Sequence, residues 1–185
     1  GHRDNEILDE SSSPGHGFLA NLCAAWESAA QSSTMATASL RFGLVLDRAG
    51  GALKKMLPPF QLGLGGPLGQ GHHWQSWIGL DDAVRHILHL CTAPPEDVRG
   101  VHNVVAPDPI RQRDFAAALG KALGRPAFVP TPRWAVKLLF GDMAKEALLA
   151  STRVIPTKRL EEGPSFMSPN LQDALRLALR GKSDG

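Results

Sequence analysis

The spacing of apolar residues changes along the chain, and the changes predict its elements. Residues 1–17 are polar, rich in Ser, Gly, Asp and Glu, and predict a loop ending at Ser13-Pro14-Gly15. From Phe18 the spacing turns helical, with Phe18, Leu19, Leu22, Cys23 and Trp26 on one stripe. A polar, Ser/Thr-rich connection covers 31–37. The apolar run 38–46 predicts one strand of buried character. Gly50-Gly51 separates it from a short helix that should end near Leu57, because Pro58-Pro59 cannot donate to the preceding turn. Asp81 and Asp82 suit the first turn of a helix reaching about Cys91, where carboxylates meet the positive helix end. Residues 101–106 predict a second strand. Phe115, Ala116, Leu119 and Leu123 mark an amphipathic helix stopped by Gly124 and Pro126. Residues 134–149 predict a helix interrupted near Gly141-Asp142, and Leu171, Ala174, Leu175 and Ala178 a last one. Strands alternating with helices, then helices alone, predict an α/β fragment over 1–107 and a mostly helical subdomain over 108–185.

The segment 60–76 interrupts this pattern. It carries Gly63, Gly65, Gly66, Pro67, Gly69 and Gly71, and also Leu62, Leu64, Leu68, Trp74 and the nearby Trp77. Long loops inside compact domains are more often binding segments than idle connections. So many large apolar groups argue against disorder. Backbone amides of such a loop can cradle a phosphate, but the Gly-Lys-[Ser/Thr] ending of a P-loop is absent. The alternative is a set of tight turns that fold the loop over the domain.

Composition narrows the function classes. The chain has 185 residues, 43% of them hydrophobic, enough to bury a core. A net charge of +2 gives no reason to expect nucleic acid or an anionic membrane. The charge is uneven: residues 1–46 carry five acids against Arg3 and Arg41, while 108–185 carry 13 basic and 8 acidic residues. The basic residues are spaced rather than clustered. This favours solvated helix faces over a docking surface or a site for a phosphorylated ligand. Cys23 and Cys91 form no Cys-x-x-Cys, which argues against a thiolate metal site or a disulfide framework; both are expected to be small buried hydrophobes in a reducing compartment. No apolar stretch approaches the ~20 residues that span a bilayer, and no signal or transit segment is visible.

Candidate chemistry is sparse. Asp82, His86 and His89 share a helix face and, with His72 and His73, have metal-ligand spacing. Without His-Glu-x-x-His or a Cys pair, the favoured reading is histidines on a partly exposed helix face. No Gly-x-Ser-x-Gly elbow appears, so Ser76 reads as structural. Trp26, Trp74, Trp77 and Trp134 could stack a base or nicotinamide, but read first as core or hinge residues.

Several blocks carry a resemblance. They are Phe18-Leu-Ala-Asn-Leu-Cys-Ala-Ala-Trp-Glu, Arg41-Phe-Gly-Leu-Val-Leu-Asp-Arg-Ala-Gly-Gly-Ala-Leu, Leu57-Pro-Pro-Phe-Gln-Leu-Gly-Leu-Gly-Gly-Pro-Leu-Gly-Gln-Gly and Ser76-Trp-Ile-Gly-Leu-Asp-Asp. Asn103-Val-Val-Ala-Pro, Phe115-Ala-Ala-Ala-Leu-Gly-Lys-Ala-Leu-Gly-Arg-Pro-Ala-Phe and Arg153-Val-Ile-Pro-Thr-Lys-Arg-Leu complete them. In order and spacing the chain resembles the C-terminal half of atypical short-chain dehydrogenase/reductases of the NAD-dependent epimerase/dehydratase type, the epimerase family proteins with a DUF1731-type C-terminal region. The resemblance implies a Rossmann-type fold with a smaller substrate subdomain. Its glycine-rich pyrophosphate turn would lie upstream of Gly1.

What the resemblance implies for sites is limited. Extended members use Tyr-x-x-x-Lys as an acid/base pair beside the nicotinamide. Setting Glu27 against the glutamate that follows that motif puts Leu19 at the tyrosine position and Cys23 at the lysine position, and the chain has no tyrosine. No catalytic residue carries over. Arg41, Phe42 and Gly43 match the strand end that approaches the nicotinamide, and so are the cofactor-binding candidates. Gly65, Gly66, Gly69, Gly71 and Trp77 match the loop facing the substrate cleft. Asp82 matches the acidic residue opening the next helix, with a capping role. Gly79 stands where the family has a histidine.

Two functions follow as expectations. One is an NADP(H)-binding, sugar-nucleotide-epimerase-like oxidoreductase of unknown substrate, of which this is the substrate-binding half. The other is a non-catalytic structural or assembly subunit, held by protein partners that cover an exposed half-fold. A chloroplast or mitochondrial location is slightly favoured, on family analogy and the Ser/Thr-rich stretch 31–39.

Overall fold

Gly43 divides the apolar run 38–46 into two strands where the sequence predicts one. In the computed structural model, which describes residues 2–132 and 149–180, β1 is Ile7–Leu8, β2 is Ala38–Phe42 and β3 is Leu44–Leu46. The β2 strand pairs in parallel with β6 (Gly100–Val104), from Ala38 opposite Gly100 to Phe42 opposite Val104. The β3 strand pairs in parallel with β5 (Trp77–Gly79) instead. The hydrogen bonds change partner at the hinge: Gly43 N donates to Val104 O at 3.2 Å, and Leu44 N to Ser76 O at 2.8 Å. A Cβ at Gly43 would lie 2.8 Å from Ser76 O and 2.9 Å from Val105 Cγ1, so only glycine fits this crossing.

The parallel pairs are joined by helices, as parallel strands require. Helix α1 (Phe18–Gln31) precedes β2, α2 (Gly51–Gln61) follows β3, and α3 (Leu80–Thr92) runs from β5 to the short α4 (Pro95–Val98) and β6. Strands β4 (Trp74–Gln75) and β7 (Ile110–Arg111) pair antiparallel, with Trp74 opposite Arg111. Then come α5 (Gln112–Leu123), β8 (Arg153–Val154), α6 (Thr157–Glu162) and α7 (Leu171–Arg180). This is the expected α/β, Rossmann-type arrangement.

Helix α2 corrects one expectation. It runs through Pro58 and Pro59 to Gln61 instead of ending near Leu57. The two prolines withdraw donors only in the last turn, and the carbonyls of Pro58 and Pro59 still accept from Leu62 and Leu64 at 3.1 and 2.9 Å. Its face of Leu53, Met56, Leu57 and Phe60 is fully buried, and that packing outweighs the lost donors.

The main core joins Leu46, Leu53, Phe60 and Trp77 to Phe115, Leu119 and Leu175, and so crosses the expected boundary at 107/108. A second cluster, Ile78, Ala83 and Val104, seats α3 on the sheet. The 1–17 loop contains β1, which pairs in parallel with β8: Ile7 opposite Arg153 and Leu8 opposite Val154. Cys23 and Cys91 are exposed, not buried. Helix α1 buries no residue among those described, and Phe18 and Trp26 are 68% and 66% exposed. The helix expected over 134–149, with Trp134, falls almost entirely outside the described residues.

Candidate functional site

The C-terminal end of β2 opens into a cleft of ≈ 710 Å³. One wall is α1, through Leu19, Cys23, Trp26 and Glu27. The floor is Arg41, Phe42 and Gly43 with Asn103 and Val105, and the far rim is the segment 8–15 with Thr152 and Val154. The sequence-expected cofactor residues Arg41, Phe42 and Gly43 are therefore brought together on one cavity. Leu19 and Cys23, at the positions matched to the tyrosine and lysine, line the same cavity.

Each floor residue has its own constraint. Arg41 Nε and Nη2 donate to the two oxygens of Glu27, both at 2.7 Å, a fork that ties β2 to α1. That hydrogen bonding to Glu27, more than any other influence, raises the guanidinium pKa. Arg41 is thus committed to Glu27 and acts on the cleft by holding the helix. Phe42 is 48% exposed, an aromatic face open at the strand end. Gly43 brings its backbone to the cavity, and a side chain there would clash.

The far rim depends on residues the sequence reading missed. Ser151 and the first residues of the chain are laced together: Arg3 N donates to Ser151 O at 3.0 Å, Ser151 N to His2 Nδ1 at 2.9 Å, and Ser151 Oγ to the Asp4 carbonyl at 2.5 Å. Ser76 is structural, as expected. Its hydroxyl donates to Thr152 O at 2.9 Å and accepts from Val154 N at 2.9 Å. Glu10 accepts from Asn103 N at 3.2 Å, and its other oxygen is buried without a hydrogen-bond partner among the described residues. No short motif marks Glu10, because its role depends on a contact 93 residues away.

The glycine-rich loop lies elsewhere. Val129 N donates to Gly65 O at 3.1 Å, Thr131 N to Pro67 O at 2.8 Å, and Gly69 N to Thr131 O at 2.9 Å. A Cβ at Gly65 would run into the Phe60 ring, and one at Gly66 into the Val129 backbone. Gly71 abuts Arg113 and Pro67. Trp77 is 1% exposed in the core, with its indole N–H donating to Asp108 O at 3.0 Å. None of Gly65, Gly66, Gly69, Gly71 or Trp77 lines the cleft; Gly66 permits the two loops to lie backbone against backbone at Val129.

Asp82 does not cap α3, which has no side-chain cap. It is the hub of a buried pair: Arg159 Nη2 donates to Asp82 Oδ1 at 3.0 Å, Met167 N to the same oxygen at 2.9 Å, and Ser168 N to Oδ2 at 3.0 Å. Arg159 Nη1 also donates to the Asp82 carbonyl at 2.9 Å. Beside them His86 is buried, not on a partly exposed face, and neither ring nitrogen has a hydrogen-bond partner among the described residues. Burial first, and then the Arg159 cation, pull its pKa down to about 4. Its ring lies 5.9 Å from that of His102, whose pKa burial also lowers. Among the described residues no three His, Cys, Asp or Glu side chains come together as a metal site, so His72, His73, His86, His89 and Asp82 do not assemble one.

Comparison with known proteins places these features in a family. A family model described as a domain of unknown function, DUF1731, matches residues 131–178. The epimerase family protein SDR39U1 homolog, chloroplastic, of Arabidopsis thaliana is 38% identical over 182 residues, covering 97% of this chain and 52% of the relative. The crystal structure of human epimerase family protein SDR39U1 (isoform 2) with NADPH superposes with a TM-score of 0.88 at 38% identity, covering 98% of this chain and 62% of that one. The structure of DesIV, a dTDP-glucose 4,6-dehydratase from Streptomyces venezuelae with NAD and TYD bound, shares the fold at a TM-score of 0.71 and 16% identity. The chain spans about half the length of the curated relatives it matches.

Proposed function

The chain is homologous over nearly all its length to the epimerase family proteins of the short-chain dehydrogenase type, and from that premise we propose that it forms the nicotinamide-side wall of an NADP(H)-binding, epimerase-like oxidoreductase. The observation that carries this reading is the meeting of Arg41, Phe42 and Gly43 with Leu19 and Cys23 on one cleft. The fit is to the nicotinamide end. The Phe42 face and the side-chain-free backbone at Gly43 offer a flat surface for a planar ring, while the Glu27–Arg41 fork sets the distance from α1 to that surface. The bound cofactor supplies the hydride chemistry. This chain contributes position and exclusion of water but no tyrosine. A sugar nucleotide or a related small molecule is the proposed substrate class.

The test is titration of the purified protein with NADPH, followed by nicotinamide fluorescence. Saturable enhancement, weakened several-fold in Phe42→Ala, is the expected result. A flat titration refutes the reading.

A second reading, a non-catalytic assembly subunit, is favoured by Leu19 and Cys23 at the positions of the catalytic pair and by the outward Phe18 and Trp26 of α1. The native mass of the protein from its source decides it: a monomer rules it out. An organellar location rests on the chloroplastic relative, and fractionation of tagged protein tests it.

A further inference from the structure

The β4–β7 ribbon carries a cluster that the cleft does not use. The register sets Trp74 opposite Arg111, and β8 brings Arg153 to the same indole. Arg111 Cζ lies 4.2 Å from the centroid of the Trp74 ring and Arg153 Cζ 4.4 Å. Asn5 fixes the stack from a third segment: its Oδ1 accepts from the Trp74 indole N–H at 3.0 Å and from Arg111 Nη2 at 2.7 Å. Arg111 Nη1 donates to the His72 carbonyl. Thr152 and Val154, on either side of Arg153, line the cleft, but Trp74, Arg111 and Arg153 do not. Strand alternation turns Arg153 to the other face of β8.

Charge and hydrogen bonding in this cluster are left open. No carboxylate among the described residues pairs with Arg111 or Arg153. Asn5 and His72 supply neutral acceptors to Arg111, and the guanidinium of Arg153 has no hydrogen-bond acceptor among the described residues. Two cations therefore sit against one indole ring, with no carboxylate partner among the described residues. Contact with the ring leaves the Arg153 N–H groups available as the fork that matches an oxyanion, while Arg111 Nη1 and Nη2 are engaged by His72 and Asn5. The site is therefore short of negative charge and rich in oriented donors, and a phosphate dianion supplies both needs.

We propose that Arg153 and Arg111, stacked on Trp74, form a phosphate-binding site on the face of β8 opposite the cleft, for inorganic phosphate or the phosphate group of a small monoester. Arg153 provides the free fork, Arg111 the second charge, and Asn5 the anchor that keeps Trp74 and Arg111 in register. The site is separate from the cleft and does not depend on the cofactor reading.

Calorimetric titration of the purified protein with inorganic phosphate, and in parallel with glycerol phosphate, tests this at ionic strength held constant with sodium chloride. At least one should bind saturably, and the tighter of the two identifies the source of the phosphate group. Arg153→Gln should weaken binding at least tenfold with the thermal midpoint kept. Arg153→Lys, which retains the charge but loses the fork, should fall between and covers the case in which Arg153→Gln does not fold. Saturating NADPH should leave the isotherm unchanged. Linear isotherms for both probes, equal affinity in the Arg153 variants, or displacement by NADPH would each overturn the proposal.

Discussion

Asp82 is one carboxylate holding three segments, and removing its charge tests how the C-terminal arm is attached. The carboxylate accepts from Arg159 and from the Met167 and Ser168 amides, and Arg159 also lies 3.7 Å over the Phe166 ring. The two side chains are 2% and 1% exposed, so neither charge is screened by water. Burial, the largest single influence, lowers the Arg159 guanidinium pKa even with Asp82 beside it. Asp82→Asn keeps the volume and leaves Arg159 as an uncompensated buried cation. Breaking a buried pair in this way costs about 3–5 kcal/mol. The two amides keep only a weaker acceptor, so we take about 4 kcal/mol, a large share of the ~5–15 kcal/mol of a typical domain.

Urea unfolding followed by circular dichroism reads this directly. With a slope of about 2 kcal/mol per molar, the midpoint should fall by about 2 M. The decisive comparison is the double variant. Arg159→Met in the Asp82→Asn background removes the stranded cation and keeps a polarizable chain against Phe166. It should recover about 1–3 kcal/mol, so the double variant is more stable than Asp82→Asn alone. If Asp82→Asn moves the midpoint by less than about 0.5 M, or if adding Arg159→Met destabilises further, the pair is not a desolvated charge hub and the reasoning fails.

The remaining predictions concern other links in the same structure. His86 has a folded pKa of about 4 against 6.5 unfolded, so the unfolded chain takes up the proton first; stability is whole above pH 6.5 and falls as pH drops toward 4, by about 3 kcal/mol in all. Unfolding free energies measured from pH 7 to 4 should show this slope, and His86→Leu should flatten it to the part left by His102, whose pKa is also lowered. Gly43→Ala forces a Cβ to 2.8 Å from Ser76 O and should cost about 1–3 kcal/mol in thermal unfolding; a neutral result would mean that β2 and β3 cross less closely. Cys23 and Cys91 should both react with a thiol reagent in the folded protein, since both are exposed; protection of either until denaturation would contradict the fold at that helix.

The parts of the fold legible in the sequence are those set by local spacing. Helices α1, α5 and α7 stand where their apolar stripes predict and α3 where Asp81 and Asp82 mark its first turn, but the α1 stripe, with Phe18 and Trp26 exposed, did not give a buried face. The end of α2 was not legible. Proline chemistry alone says stop at Leu57, but Phe60 is 2% exposed in the core, and its burial carries the helix one turn further. The split at Gly43 was hidden for a related reason. The residue pattern of 38–46 is continuous, and only the approach of Ser76 and Val105 shows why glycine stands there.

The candidate site divides along the same line. Arg41, Phe42 and Gly43 were singled out by the family resemblance, and as neighbours at one strand end all three line the cleft. Asp82 was visible as an acidic residue opening a helix, but its partner Arg159 is 77 residues away, and local reasoning offered only capping or a place among metal-ligand candidates. The Arg111–Trp74–Arg153 stack was less legible still. It requires the pairing of β4 with β7, the pairing of β1 with β8, and Asn5 from the segment before β1. Spaced arginines in 108–185 read as solvated faces because their separation in sequence concealed their convergence on one ring. The same β1–β8 pairing shapes the cleft rim through Leu8, Thr152 and Val154. One parallel pair of two-residue strands therefore presents the cleft on one face and the cation stack on the other. Losing the register of Ile7 with Arg153 should disturb both, whereas Arg153→Gln should disturb only the stack.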